Sequence, residues 1–381
     1  EMRFGMISEA CVSKGMPYSV RYQEVIKEAI FAEEMGLEFF GSSEQHFIPS
    51  GYTISAPEVL YGAIAALTST IKLRHMSVVA LKFNHPIRIA ERLATLDIIS
   101  RGRVEFGTAR SNNIQYLNTF GVDPTTTRKE WRETLEATLR ALMESPFEFH
   151  GDHYDFEPVD VVPKLYRHQC PPVFVSASSH QTHHNAGLLG IGAMTFDNWF
   201  GWEYVEECVS EYRKGLKKAQ PIGSLYEINP VSSLLTFPAH CCASKEQAIS
   251  ESRTTVLGLF NGVGKLYLEM ARGEEAAGGS GYSYLHRMED LDEHKNDIEY
   301  MIDKSPTLII GDPDQCIERC KQLEKMGIDE VILKIDGYGH EVNLRSIEMF
   351  GKYVIPEFNH PQAIPDNDWE SLGVEMERFQ L

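Results

Sequence analysis

Four groups of residues carry side chains able to do chemistry, and their order along the chain says more than any one of them. The first, Glu44-Gln45-His46-Phe47, closes the apolar stretch Leu37 to Gly41 and sets a carboxylate, an amide and an imidazole side by side. Downstream follow the run Ser100 to Arg110, then Arg128, then Ser178-Ser179-His180-Gln181-Thr182. Two guanidiniums offer charge-assisted hydrogen bonds to an anion, and Ser179 and Thr182 stand where a strand turns into a helix whose first amides favour negative charge. Together they suggest a phosphate-bearing cofactor, and the chain reads as an enzyme. Each piece also has a plainer reading. Ser178 to Thr182 is equally an ordinary helix cap, and His46 a buried histidine satisfied by a backbone carbonyl.

Short apolar runs alternate with helical patterns through most of the chain, as βαβ units of a parallel sheet do. Strands are predicted ending near Ile7, then over Leu37 to Ser43, Ile71 to Leu81, Val104 to Thr108, Val173 to Ala177, Ala193 to Phe196, Ser232 to Phe237 and Val331 to Leu333. Helices are predicted over Pro57 to Leu67, from His85-Pro86, and from Asp312-Pro313, where an aspartate cap and a first-turn proline precede the stripe Ile317, Cys320, Leu323. Thr127-Arg128-Lys129-Glu130 reads as a capping box ahead of Trp131, Leu135, Leu139 and Leu142. No GxGxxG follows the first strand, so eight units in order favour a (β/α)8 TIM barrel, an α/β fold, over an open doubly wound sheet. A barrel needs roughly 250 residues. The excess is assigned to insertions near 150–169 and 269–304, the latter glycine-rich and read as a mobile lid or disordered loop, with one barrel over 1–358 and an extension over 359–381.

The chain has 381 residues, 43% hydrophobic, and a net charge of −19, which argues against nucleic-acid binding through clustered Lys and Arg. Seven cysteines, an odd number without CxxC spacing, give neither a disulfide framework nor a zinc signature. Cys316 and Cys320 read as a packed helix face. His180, His183 and His184 point in different directions on a helix and are poor metal ligands, so no metal is expected. Trp199 and Trp202 read as pocket wall or core. The first residues show no signal-peptide pattern and no apolar run reaches spanning length, which leaves a cytoplasmic protein without a membrane partner as the expectation.

Taken in order, the segments resemble the bacterial luciferase-like flavin monooxygenases from Met2 to about Phe358. The matches are Glu44 to Phe47, Asn84-His85-Pro86 with Arg88 and Glu91, Ser100 to Arg110, Phe120 to Asp123, Val159 to Tyr166, Pro172 to Thr182 and Gly311 to Gly327. The resemblance implies a luciferase-like (β/α)8 barrel, reduced FMN as co-substrate, molecular oxygen and a C4a-peroxyflavin. By position it implies that Arg110, Arg128, Ser179 and Thr182, with Ser178 beside them, hold the FMN phosphate. Glu44 and Met76-Ser77-Val78 would line the flavin ring, with Ser77-Val78 the place of a non-proline cis peptide bond.

Two departures stand out. The first histidine of the luciferase Glu-His-His-Phe segment is Gln45 here, and an amide is no general base near neutral pH. A cysteine near the luciferase flavin is Ala109. An oxygenase that emits no light is therefore expected, with Glu44, Gln45 and His46 positioning or protonating the peroxide in oxidation of a small organic substrate. No second nucleotide fingerprint is present, so a separate NAD(P)H-dependent flavin reductase is expected to supply FMNH2 in a two-component system. The resemblance also implies pairing through helices of the N-terminal half, hence a homodimer. Two alternatives remain open at this point: a deazaflavin-dependent oxidoreductase on the same barrel, and a non-catalytic luciferase-like subunit.

Overall fold

The structure is a computed structural model and describes residues 2–359 apart from 112, 197, 198, 267, 270, 271 and 273–284. Eight strands close a barrel in the order β1 (Arg3–Ile7), β12 (Glu330–Lys334), β9 (Ser232–Leu235), β8 (Gly192–Thr195), β7 (Val173–Ala177), β4 (Val104–Ala109), β3 (Lys72–Val79), β2 (Phe39–Ser43). All neighbouring pairs are parallel. These are the eight predicted strands, with ends shifted by a few residues; Ile71 to Leu81 shortens to Lys72–Val79 because its flanks turn out of the sheet.

Helices between the strands cover the barrel as their sequences dictate. α1 (Tyr18–Glu34) buries Val25, Ala29 and Ala32. α2 (Pro57–Leu67) starts on its proline, and α3 (Pro86–Ile99) is capped by His85, whose ring accepts from the Ile87 amide. The remaining helices are α4 (Ile114–Thr119), α5 (Thr127–Met143), α6 (His180–Leu189), α7 (Trp202–Leu216), α8 (Lys245–Leu259), α9 (Leu285–Glu293), α10 (Ile298–Lys304), α11 (Pro313–Met326) and α12 (His340–Met349). At α11 Asp312 and Gln315 satisfy each other's backbone amides as a full capping box. The box expected at α5 is not formed. Thr126 occupies the cap position, the Thr127 hydroxyl donates to the Pro124 carbonyl, and the buried Glu130 carboxylate accepts from the Lys82 amide instead. The Glu130 side chain is thus engaged by a backbone donor of the β3–α3 connection and does not reach back to the local cap.

Both insertions carry structure. β5 (Phe147–His150) and β6 (Asp155–Val159) form an antiparallel hairpin at the start of the first. In the second, α9 and α10 bury Met288, Leu291, Ile298 and Met301 against Trp199, Phe260 and the neighbourhood of β10 (Ala239–Cys241) and β11 (Ile309–Gly311). The expectation of a lid or disordered loop is corrected for these helices, because their apolar residues recur at helical spacing and find a second core. The glycine-rich part, 273–284, lies outside the described residues.

Inside the barrel, side chains alternate into layers. At the N-terminal end the fully buried Arg74 lies between the Phe39 and Phe174 rings, 3.8 and 3.9 Å from their centroids, and binds Glu105 at 2.6 Å and Glu330. Above it Ile7, Phe39, Met76, Phe174, Met194 and Ile332 pack together. β3 passes between Gly41 and Gly107, where an added Cβ would stand 1.9 Å from the Arg74 and His75 carbonyl oxygens. That close approach accompanies register shifts on both sides of β3, between Ser42 and Ser43 and between Arg74 and Val78.

Candidate functional site

The C-terminal ends of the strands gather the polar residues, as barrel topology requires of a site built on βα connections. Glu44 follows β2 and is fixed by the backbone of the next strand. Its amide donates to the Ser77 carbonyl at 3.0 Å, and its Oε2 accepts from the Val79 amide and from Asn84 Nδ2, each at 3.0 Å. Oε1 lies 2.9 Å from His46 Nε2. The His46 ring sits in an aromatic enclosure of Tyr116, Phe120 and Phe83, at centroid distances of 5.2, 5.0 and 6.1 Å, and Phe47 stacks on Phe120. The carboxylate, held by the Val79 amide and Asn84, fixes the imidazole, so the pair can hold or pass one proton. Gln45 turns elsewhere, with its amide donating to Ser43 Oγ at 3.4 Å. The three neighbours in sequence therefore serve two different parts of the mouth.

Ser77 and Val78 stand at the same rim, both buried, at the bulged end of β3. Their peptide bond is not cis: among the described residues the cis bonds are Ser145-Pro146, Val162-Pro163 and Phe237-Pro238. A non-proline cis bond costs about 3 kcal/mol, and here the strand is displaced by the register shift alone, with Val78 opposite Thr108 and Val79 opposite Ala109.

Around the ring at β4 and β7 stand the residues expected to hold an anion. Arg110 directly follows β4 and Arg128 lies in the first turn of α5. Burial, and then the positive charge of Arg128, hold the Arg110 guanidinium below its ordinary pKa, the mark of two cations brought near each other. Neither forms a salt bridge among the described residues. Arg128 Nη1 donates to Gln181 Oε1 at 3.3 Å, tying α5 to the start of α6. There Ser179 is the N-cap, with its Oγ 3.1 Å from the Thr182 amide and 2.8 Å from the Thr182 hydroxyl. Ser178, half-buried, gives its carbonyl to the Tyr204 hydroxyl. Hydroxyls at a helix N-terminus and two cations without a carboxylate fit a phosphate group, so the residues present suit such a cofactor.

The other residues singled out in the sequence are structural. His183 is buried between the Ser179 carbonyl, 2.7 Å away, and the Thr195 hydroxyl, 2.8 Å away, and burial pushes its pKa down to about 4. Trp199 belongs to the second core and Trp202 donates to the Asp303 carbonyl at 2.9 Å, so both resolve to packing. Cys316 and Cys320 are buried on one helix face.

Sequence reading missed Glu9, Lys334 and Asp336, which β1 and β12 bring to the mouth; no motif marks them, and only strand alternation in a closed barrel could have done so. Glu9 accepts from Ser43 Oγ at 2.7 Å, and burial, against the pull of Lys334, pushes its carboxyl up to about 7. Also missed was the group His240, Cys242 and Glu251, whose ligand atoms lie within 4.8 Å of one another. His240 Nε2 is 2.7 Å from Glu251, and Arg345 neutralises the same carboxylate, which makes this a closed polar network.

Comparison with known proteins adds the following. The family profile described as luciferase-like monooxygenase matches residues 2–330. The alpha chain of an alkanal monooxygenase from Photobacterium leiognathi is 26% identical over 371 residues, covering 93% of this chain and 99% of that protein. The oxygenase component of a flavin-dependent trigonelline monooxygenase from Acinetobacter baylyi is 25% identical over 367 residues, covering 95% and 97%. Among solved structures, the barrel is similar to that of a type II Baeyer-Villiger monooxygenase, the oxygenating constituent of 3,6-diketocamphane monooxygenase from Pseudomonas putida in complex with FMN. The TM-score is 0.74 at 18% identity over 94% of this chain and 99% of that one.

Proposed function

Since this chain belongs to the luciferase-like monooxygenase family, and so to the flavin-dependent monooxygenases, we propose that it is the oxygenase of a two-component system that takes reduced FMN and O2 to oxidise a small organic substrate. The observation that carries the cofactor is the pairing of Arg110 and Arg128, without carboxylate partners among the described residues, at the hydroxyl-capped start of α6. Reduced flavin, when bound, supplies the electrons that activate oxygen. The chain's own contribution is to hold the phosphate at Arg110, Arg128, Ser179 and Thr182. It also keeps a proton at the Glu44–His46 pair and surrounds His46 with aromatic rings that exclude water. Retention of the cradle speaks against a non-catalytic subunit, which has no use for one.

A separate NAD(P)H-dependent flavin reductase is the partner in this reading, which the naming of the Acinetobacter baylyi relative as an oxygenase component supports. We also propose a homodimer. The outer faces of α2 and α3 expose Val59, Leu67, Ile98 and Ile99, and light scattering should give twice the chain mass. Among the described residues no helix is long and apolar enough to cross a membrane, and the seven cysteines are unpaired, which supports a reducing cytoplasmic setting.

Anaerobic titration with reduced FMN, followed by mixing with oxygenated buffer, tests the proposal. Saturable binding and an oxygen-dependent absorbance that outlives free flavin reoxidation are expected. A folded chain that binds a reduced deazaflavin cofactor and not FMN would replace it with hydride transfer on the same barrel; binding neither would leave a subunit without catalysis.

A further inference from the structure

Lys334 is the last residue of β12, two positions beyond Ile332, which packs in the barrel interior. Strand alternation therefore turns Lys334 to the same side, one layer higher, at the C-terminal mouth. It is 2% exposed, and its Nζ has no hydrogen-bond partner among the described residues. The nearest ring is that of Tyr52, on the connection after β2, with its centroid 5.3 Å away.

An ammonium carries three donors, and leaving them unsatisfied in a buried site is costly unless an acceptor arrives. The acidic neighbours are engaged elsewhere. Glu9 takes the Ser43 hydroxyl. Asp336 takes Arg21 at 2.8 Å and the amides of Glu9 and Cys11 at 2.8 and 3.3 Å. Burial opposes the charge on Lys334, and the ionised Asp336 favours it without occupying the ammonium. Around the ring β12 is separated from β4 by β9, β8 and β7, so Lys334 faces the arginine cradle from across the mouth. A molecule held by its phosphate at the cradle would leave Lys334 to whatever lies beyond the ring system.

We propose that Lys334, with Tyr52 as the adjoining wall, is the anchor for an anionic oxygen of the substrate, and that the substrate class is small organic carboxylates. The inference rests on the monooxygenase reading for its assumption that substrate enters this mouth. Lys334 binds and orients; it takes no part in oxygen chemistry.

Benzoate and its neutral counterpart benzamide are the probes, titrated by calorimetry into the chain saturated with oxidised FMN and, separately, into the chain alone. Wild type should prefer benzoate. K334M should lose roughly tenfold to a hundredfold in benzoate affinity, as expected for one charge-assisted hydrogen bond, while benzamide and FMN affinities stay within about twofold. K334R should recover most of the loss, and circular dichroism would show that the variants fold. Equal affinity for the two probes in wild type overturns the subsite, as does loss of FMN binding in K334M with benzoate unaffected. If FMN fails to bind wild type while benzoate still separates wild type from K334M, the cofactor reading falls and the anchor stands. If FMN binds and the probes do not differ, the anchor alone falls.

Discussion

Replacing Arg110 by Met separates a cofactor cradle from a structural role, because the two predict opposite signs for different quantities. Arg110 is half-buried, has no salt bridge among the described residues, and is held below its ordinary pKa by burial and by Arg128. In the cofactor-free chain its charge is a cost, so R110M should leave the melting temperature unchanged or raise it by a degree or two. With FMN present the same guanidinium supplies a charge-assisted contact of roughly 1.5–3 kcal/mol, so FMN affinity should fall about tenfold to a hundredfold. Riboflavin, which lacks the phosphate, should bind wild type and variant alike. Arg128 is exposed and already shared with Gln181, so R128M should cost FMN affinity only a few-fold. Flavin fluorescence quenching with FMN and riboflavin in parallel, plus thermal melts without flavin, reads every term. Equal losses for FMN and riboflavin, or a flavin-free chain destabilised by more than about 1 kcal/mol, would refute the reasoning.

Three further outcomes follow from the geometry. R74M leaves the buried Glu105 and Glu330 carboxylates with only the partly exposed Arg3 as counter-ion at the closed end of the barrel, and about 3 kcal/mol of stability should be lost, seen as a melting temperature lower by roughly 4 °C; an unchanged melt would mean the ion group contributes nothing net. Glu9 is an acid held neutral up to about 7 in place of its ordinary 4.5, so the native state binds the extra proton, and the Glu9 contribution to stability should fall by on the order of 3 kcal/mol as pH rises from 4.5 to 7, against the opposite contribution of buried His183, whose lowered pKa adds stability over the same window. Tyr52 and Cys11, both pushed up to about 12 chiefly by burial, stay neutral through that window, and Asp336 stays ionised beside Lys334 and Arg21. E9Q should remove that loss, so its urea midpoint should rise more steeply with pH over this window than that of wild type, and an identical slope in wild type and E9Q would exclude the Glu9 contribution. H46A should leave FMN affinity intact while shortening the lifetime of the oxygenated reduced enzyme by about a hundredfold, read by stopped-flow absorbance; an unaltered lifetime would remove His46 from proton handling.

The sequence by itself determined the fold. Apolar runs of strand length separated by amphipathic helices can bury their faces in few ways, and eight in succession without a glycine fingerprint left the closed parallel barrel. Type and order of residues also pointed to an anion site, because Arg110, Arg128, Ser179 and Thr182 each lie at the end of a predicted strand or start of a predicted helix. The Thr127 box was misread because a sequence shows the local acceptor but not the competing Lys82 amide that a remote connection brings to Glu130. Ser77-Val78 shows the same limit, since the irregularity of β3 goes with the close approach of the Arg74 and His75 carbonyls to Gly41 and Gly107 of its neighbours, a contact between strands distant in sequence. Tertiary structure alone decided the rest. It sent Gln45 away from Glu44 and His46, and it enclosed His46 in rings from Phe83 to Phe120. It also set Lys334 near Glu9, from opposite ends of the chain, because closing the barrel pairs β1 with β12. Strand closure is a long-range event with no local signature, which is why a buried lysine more than 280 residues from Glu44 carries no trace in sequence of facing the same mouth.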